Sequence, residues 1–290
     1  TGAPFRLAVY GTELKRLHDI ELACDLRDPW TWHMEYGHGA LSTRKMEQER
    51  AFERQVMMES DHVIVPSLSM LEHLQAHYPT RSERFVHLPH TIDTEELGVP
   101  TPPSNEECTR LIYAGTLYGT VEAGPYFDML LAAFDHLKAR APHVYERTRL
   151  DLYITGKESE VHQRFVQRSI HRSRIHFHDP VSAREISERI SEADAVLIFI
   201  PSYNKDFLGT KFNETFYLRR PVIHVGDSGA VGHYIVKHRL GTSMTVEELP
   251  ARLPEIVTGA VRLEIDTKYD LREHTLEHVT DRLVNEVLHL

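Results

Sequence analysis

The feature that most narrows the fold is a rhythm of short apolar runs separated by amphipathic stretches. RLIYAG (110–115), RLDLYITG (149–156), RIHFH (174–178), AVLIFI (195–200) and PVIHVG (221–226) read as strands, as do IELACDL (20–26), HVIVP (62–66) and FVHLP (85–89). Most are continuous rather than alternating, which suits a parallel sheet whose two faces are both covered by crossover helices. Helical spacing recurs between them, over 41–59, 67–78, 124–139, 158–171, 182–192, 210–219 and 229–238. Ser182, with Glu185 three residues on, has the form of a helix cap. Leu276, Val279, Leu283 and Val287 recur at helical spacing and predict one long terminal helix within 270–290. Residues 5–10 are ambiguous, alternating like a strand but following Pro4 like a helix start. Repeated strand–helix alternation predicts an α/β, doubly wound architecture.

EELGVPTPPSNEEC (95–108), rich in proline and polar residues, separates two such series. The predicted division is a first domain over 1–97, a linker over 98–108, a second domain over 109–266, and a terminal helix over 267–290 crossing back to the first. After the linker the strands suffice for a complete Rossmann-like domain; before it they are few for a buried sheet. The expectation is therefore an N-terminal domain whose first half lies outside this sequence, the alternative being a small, reduced domain.

Composition excludes several classes. A net charge of −10 argues against a general nucleic-acid or anionic-membrane surface. Cys24 and Cys108 are the only cysteines, too few and too far apart for a disulfide framework or a cysteine zinc site. No apolar run is long enough to span a bilayer and no signal peptide is evident, so the expected location is cytoplasmic. Of the 20 histidines, His33 with His38 and His176 with His178 are the pairs that suggest metal, but no further ligand completes either spacing, and no metal is expected. The basic residues Arg44, Lys45, Arg50 and Arg54 are interleaved with glutamates, which favours a solvated helix with i, i+4 pairs over a membrane-facing one.

In doubly wound sheets ligands bind beyond the carboxyl ends of the strands. GTLYGT (115–120), TGKES (155–159) and SYNKDFLGTK (202–211) occupy such ends. The helix beginning near Thr210 directs its free N–H groups there, and Lys211 adds a full positive charge, so this end is a candidate anion site.

The order of motifs resembles the retaining GT-B glycosyltransferases of the family 4-like group. TGAPF (1–5) and DLRDPW (25–30) are similar to that group's "tgPPfs" and "DlRDpW" stretches, which favours helix over 5–17. DHVIVPSLSMLEHL (61–74), FVHLPHTID (85–93) and RLIYAGTLYG (110–119) resemble successive segments leading into its donor domain. ADAVLIFIP followed by KFNETFYLRRPVI resembles its donor-site strand and helix. The resemblance implies a fold of two Rossmann-like domains facing a cleft, the N-terminal one incomplete. It implies sugar transfer from a nucleotide-sugar donor to an unidentified carbohydrate, lipid-linked or small-molecule acceptor, with retention of configuration and no metal or cofactor.

By this resemblance Lys211 faces the donor diphosphate and Glu214 matches the second glutamate of the Glu-x7-Glu motif, which bonds the ribose. Asp206 stands where the first glutamate belongs, one methylene shorter. Gly115, Thr116, Gly209 and Thr210 complete the donor-binding set, joined by Lys157, a phosphate candidate from its place in a glycine turn after a strand, with Asp206, Lys211, Arg27 and Asp28 as catalytic candidates. GTLYGTVEAG (115–124) lacks the arginine and lysine the family often carries there. His90 and Thr91 replace the family's Asn-Gly turn.

Each assignment has a plainer alternative. Lys211 and Glu214 also fit a solvated i, i+3 pair, Lys157 a surface lysine, and Arg27 with Asp28 an internal pair shaping the loop. Trp30 and Trp32 either pack that loop or stack on sugar, and His33 or His38 is a candidate general base. Two other functional classes fit the same fold: a GT-B nucleotide-sugar epimerase, which needs carboxylates and a histidine at the site, and a non-catalytic binding protein.

Overall fold

The computed structural model describes residues 5–32, 41–97, 100, 108–117, 120–155 and 159–289. The chain forms two compact units, Thr1–Thr91 with Arg272–Leu290, and Ile92–Leu271. The first division falls ahead of the proline-rich 98–108 stretch, most of which lies outside the described residues.

The first unit runs α1 (Arg6–His18), β1 (Ala23–Asp25), α2 (Thr43–Glu59), β2 (His62–Val65), α3 (Leu68–His77) and β3 (Phe85–His87). The ambiguous segment after Pro4 is therefore helical. The strands form a parallel sheet in the order β1-β2-β3, with Cys24 opposite Val63 and Val63 opposite Phe85. Ser67 caps α3, its hydroxyl accepting from the Met70 N–H at 3.3 Å.

Trp30 is fully buried, stacked on Phe5 with ring centroids 5.0 Å apart. Its Nε1–H donates to Glu49 Oε2 at 3.1 Å, while Arg6 donates to Glu49 Oε1 at 3.0 Å. Glu53 accepts from the Thr31 N–H at 2.7 Å and the Tyr78 hydroxyl at 3.2 Å. These two glutamates of α2 are buried, so they are not the solvated i, i+4 partners that the charge pattern predicts. A buried indole N–H and a half-buried amide need acceptors, and turning the carboxylates inward supplies them.

The second unit contains α4 (Thr94–Leu97), β4 (Thr109–Thr116), α5 (Thr120–Arg140), α6 (Pro142–Tyr145), β5 (Thr148–Thr155), α7 (Ser159–Gln167) and β6 (Ile175–Phe177). It continues through α8 (Ala183–Glu192), β7 (Ala195–Ile200), α9 (Thr210–Tyr217), β8 (Val222–Gly226), α10 (Ala230–Lys237), β9 (Gly241–Met244) and α11 (Leu249–Val257). All its strands pair in parallel, in the order β6-β5-β4-β7-β8-β9. The chain winds outward from β4, returns beside it at β7 and winds outward the other way. That is the doubly wound order, with its switch point between β4 and β7.

The continuous apolar runs follow from two cores. Leu197, Phe199, Ile223 and Val225 enter one, which includes Phe127, Leu130 and Phe134 of α5. Val196, Ile198 and Val222 enter the other, with Phe212 and Phe216 of α9 and Val231 and Ile235 of α10. Ser182 caps α8 as its spacing predicts, accepting from the Glu185 N–H at 3.2 Å.

Two elements differ from expectation here. β9 adds a sixth strand from the sequence GTSM, which has no apolar run to announce it. Its register requires Gly241: φ is +143°, and a Cβ there would lie 2.0 Å from the Val222 carbonyl oxygen. α11 is likewise unpredicted.

The terminal segment is a correction too. In place of one long helix there is a 3-10 turn over Arg272–His274, α12 (Leu276–Arg282) and a π-type turn over Leu283–Val287. Thr275 starts α12 by accepting from the His278 N–H at 3.3 Å. Val279 and Val287 pack with Ile64 and Leu88 of the first unit, so the apolar periodicity is real although the helix is short.

His224, at the centre of β8, is fully buried; its Nδ1 pairs with Ser243 Oγ at 2.8 Å, and its Nε2 has no partner among the described residues. Burial lowers its pKa from 6.5 to about 4. Because the unfolded chain binds this proton more readily, stability is full above pH 6.5 and falls as pH drops toward 4. The expected loss between pH 7 and 4.5 is roughly 2–3 kcal/mol from this residue. Denaturant melts at the two pH values should show it, and His224→Gln should flatten the difference by that amount.

Candidate functional site

At the switch point the carboxyl ends of β4 and β7 diverge, and a cavity of about 190 Å³ opens between the sheet and helices α8 and α9. Ala114 and Gly115 at the end of β4, Tyr153 and Thr155 of β5, and Val196 and Ile198 of β7 line its sheet side. Pro180, Val181, Ile186 and Ile190 close a second side, and Lys211, Glu214 and Thr215 of α9 a third.

The helix α9 begins after Gly209, whose backbone is extended and which offers no side-chain cap. A Cβ at Gly209 would meet nothing within 4 Å, so the first turn is open in front. Thr210 is the first helical residue and Lys211 the second. Lys211 and Glu214, one turn apart, both reach the cavity. Gly115 fits them there: its φ is +136°, and a Cβ would lie 1.7 Å from Lys211 Nζ. The lysine therefore lies across the bare backbone of β4's end.

Burial lowers the Lys211 pKa, and the nearby Glu214 carboxylate partly opposes this. Burial raises the Glu214 pKa, opposed by Lys211. Each charge is thus underpaid by its surroundings and gains from a ligand of opposite or hydrogen-bonding character. An amine beside a helix N-terminus suits an anion, and a carboxylate suits hydroxyl donors.

Thr116 stands beside the cavity, its hydroxyl 2.9 Å from that of Thr155. Lys157 lies outside the described residues, as do His33 and His38. Asp206 does not line the cavity. Its Oδ1 accepts from the Ala230 N–H at 2.8 Å, at the start of α10. The Val231 N–H donates to the Lys205 carbonyl at 3.0 Å, and a Cβ at Gly229 would lie 2.6 Å from that same oxygen. The segment between β7 and α9 is thereby fastened to α10.

Arg27 and Asp28 belong to the first unit. Arg27 Nε donates to Asp25 at 2.9 Å, so its ion pair is with Asp25. Asp28 is partly exposed and, with Arg27, acts electrostatically on His90, whose pKa is lowered mainly by burial. Of the two tryptophans, Trp30 packs the core and Trp32 stacks on His73 at 3.8 Å. His178 bonds Asp151 at 2.6 Å. Among the described residues no group of three His, Cys, Asp or Glu side chains is arranged to hold a metal ion. Nor is any helix among them long and apolar enough to cross a membrane.

Sequence reasoning did not find the apolar wall made by Tyr153, Val181 and Ile186. HDPVS (178–182), the turn after the strand RIHFH, was the available signal, since it too closes a strand at the ligand end.

No protein-family model matches the chain, and no curated protein matches it in sequence. Solved structures do match in fold. The pneumococcal O-GlcNAc transferase GtfA, in complex with UDP and GlcNAc, has a TM-score of 0.62 at 15% identity, over 92% of this chain and 53% of that chain. Anabaena HepE, in complex with UDP and glucose, has a TM-score of 0.66 at 14% identity, over 99% and 76%. The fold is GT-B. A UDP-GlcNAc 2-epimerase from Methanocaldococcus jannaschii is also similar, with a TM-score of 0.57 at 10% identity, over 98% and 74%. The chain spans about half the length of GtfA. Within the GT-B fold, the cavity sits at the switch point of the sheet in Ile92–Leu271.

Gly115→Ala is expected to push Lys211 out of its path and to strain the backbone. Thermal denaturation should show a loss of roughly 1–3 kcal/mol for a non-glycine residue at this φ.

Proposed function

We propose that the chain is a nucleotide-sugar-dependent glycosyltransferase whose donor site is this cavity. The observation that carries the proposal is the placing of Lys211 across Gly115, with Glu214 beside it. The Lys211 ammonium and the open N-terminus of α9 would hold the donor diphosphate, and Glu214 would accept from the ribose hydroxyls. Gly209, Thr210, Gly115 and Thr116 frame the diphosphate, and Lys157 is the proposed second cation. Breaking the bond between sugar and diphosphate leaves negative charge on the leaving group. A fixed ammonium and free N–H groups stabilise that charge without requiring a metal ion. Transfer to the acceptor with retention of configuration, with Arg27 and Asp28 contacting sugar, completes the proposal.

One observation favours a second reading, a protein that binds nucleotide sugars without turning them over. Asp206, the counterpart of the first motif glutamate, engages the start of α10 rather than the cavity. The epimerase alternative is less supported, because Glu214 is the one carboxylate among the described residues lining the cavity and no histidine lines it.

Calorimetry with UDP, GDP, dTDP and ADP tests the donor site. Lys211→Ala should weaken the preferred diphosphate by about 10- to 100-fold, the value of a hydrogen bond to a charged group, and leave the nucleoside nearly unchanged. Equal diphosphate affinity in variant and parent would refute the assignment. Product formation from the matching nucleotide sugar then separates the transferase from the binding protein.

Affinity should also be bell-shaped in pH. Burial lowers the Lys211 pKa, so its charge and the binding decline with rising pH earlier than for an exposed lysine. Burial raises the Glu214 pKa, so the ribose acceptor is lost with falling pH earlier than for an exposed carboxyl. Calorimetry across pH should show Glu214→Gln losing the acid limb while keeping the alkaline one.

A further inference from the structure

The first unit contains a second cavity, of about 310 Å³, with no part in the donor site. Arg50 and Arg54, one turn apart on α2, line one side, and His73 and His77, one turn apart on α3, line the other. Trp32 and Tyr78 close it.

The charges here are not balanced. Several basic side chains of this unit have acidic partners, Arg6 with Glu49, Arg27 with Asp25 and Arg84 with Asp61. Among the described residues Arg50 and Arg54 form no ion pair. Glu53, the carboxylate at this cavity, is already bonded on both oxygens, to the Thr31 N–H and the Tyr78 hydroxyl. Burial raises the Tyr78 pKa, so Tyr78 remains a donor to Glu53. In a chain of net charge −10, an unmatched basic pair facing two imidazoles is a local positive focus.

The rings are ordered as a stack, Trp32 on His73 at 3.8 Å and His73 on His77 at 4.0 Å. The His77 ring nitrogen meets the His73 carbonyl at 2.9 Å, which fixes its orientation. Guanidinium groups present paired N–H donors that match phosphate oxygens.

We propose that this cavity is a binding site for a small soluble phosphomonoester, of the size of a sugar phosphate, held by Arg50 and Arg54 with His73 as a third donor. The site lies wholly within the first unit and does not depend on the donor-site reading. Burial and His77 keep His73 largely uncharged at neutral pH, lowering its pKa to about 4. A neutral imidazole still offers one N–H, so His73 donates to the phosphate without having to be charged. The charged and polar groups around the site are Arg50, Glu53 and Arg54 from α2, His73 and His77 from α3, and Tyr78 after it.

The test uses tryptophan fluorescence, because Trp30 and Trp32 are the only tryptophans and both lie in the first unit. The chain is titrated with inorganic phosphate and with glucose 6-phosphate, against chloride at matched ionic strength. The expected result is saturable quenching of Trp32 by both phosphates at pH 8, where each is a dianion. The Arg50→Ala/Arg54→Ala variant, altered on the exposed face of α2, should bind at least tenfold more weakly with an unchanged melting temperature. Trp32→Phe should abolish the signal. Absence of saturation, an equal response to chloride, or undiminished affinity in the double variant would overturn the proposal. Binding of inorganic phosphate with exclusion of glucose 6-phosphate would overturn the sugar-phosphate class.

Discussion

Lys211 needs the volume that a Cβ at Gly115 would fill, and the candidate site depends on that vacancy. The glycine serves twice. It takes a φ of +136° at the end of β4, where the strand leaves the sheet, and it lets an ammonium lie against the backbone. The neighbouring strand β7 then leads toward α9, which supplies the ammonium. The divergence of β4 and β7 leaves a gap in the layer above the sheet, and the gap is walled mainly by apolar side chains. In such a setting each charge–ligand contact is worth more than at an exposed surface, because little water competes for it.

The strands of the second unit were legible because burial on both faces leaves few polar positions to obscure the run. The placing of Lys211 and Glu214 at a cavity was legible for a related reason: a glycine, a lysine and a glutamate at the start of a helix follow a strand too apolar to be anything but central. β9 was not, because its chain of Gly-Thr-Ser-Met is chosen for fit against Val222 rather than for apolar area. The inward turn of Glu49 and Glu53 was hidden for the opposite reason. Charge pattern assigns glutamates to water, and only the three-dimensional position of the Trp30 indole and the Thr31 amide requires them inside. The break before α12 was present in the sequence as Thr275, a good cap within an apolar periodicity that suggested continuity.

The first unit uses polar burial differently from the second. Glu49 and Glu53, one turn apart on α2, grip successive residues of the stretch after β1 through Trp30 and Thr31. That stretch begins with the Arg27–Asp25 pair, so the path from the strand end is tied by charge at one point and by buried hydrogen bonds at the next. Removing either carboxylate would leave a buried donor without its acceptor, which costs more than the hydrogen bond itself contributes.

Asp206 and Gly229 have a consequence for the segment that carries α9. A carboxylate on the Ala230 amide, a carbonyl on the Val231 amide and a glycine that allows the two backbones to close together hold residues 205–206 against α10. Such a segment gives up its conformational freedom when the chain folds, not when a ligand arrives. Substitutions at 206 or 229 would therefore register first as lost order in the stretch that leads into α9.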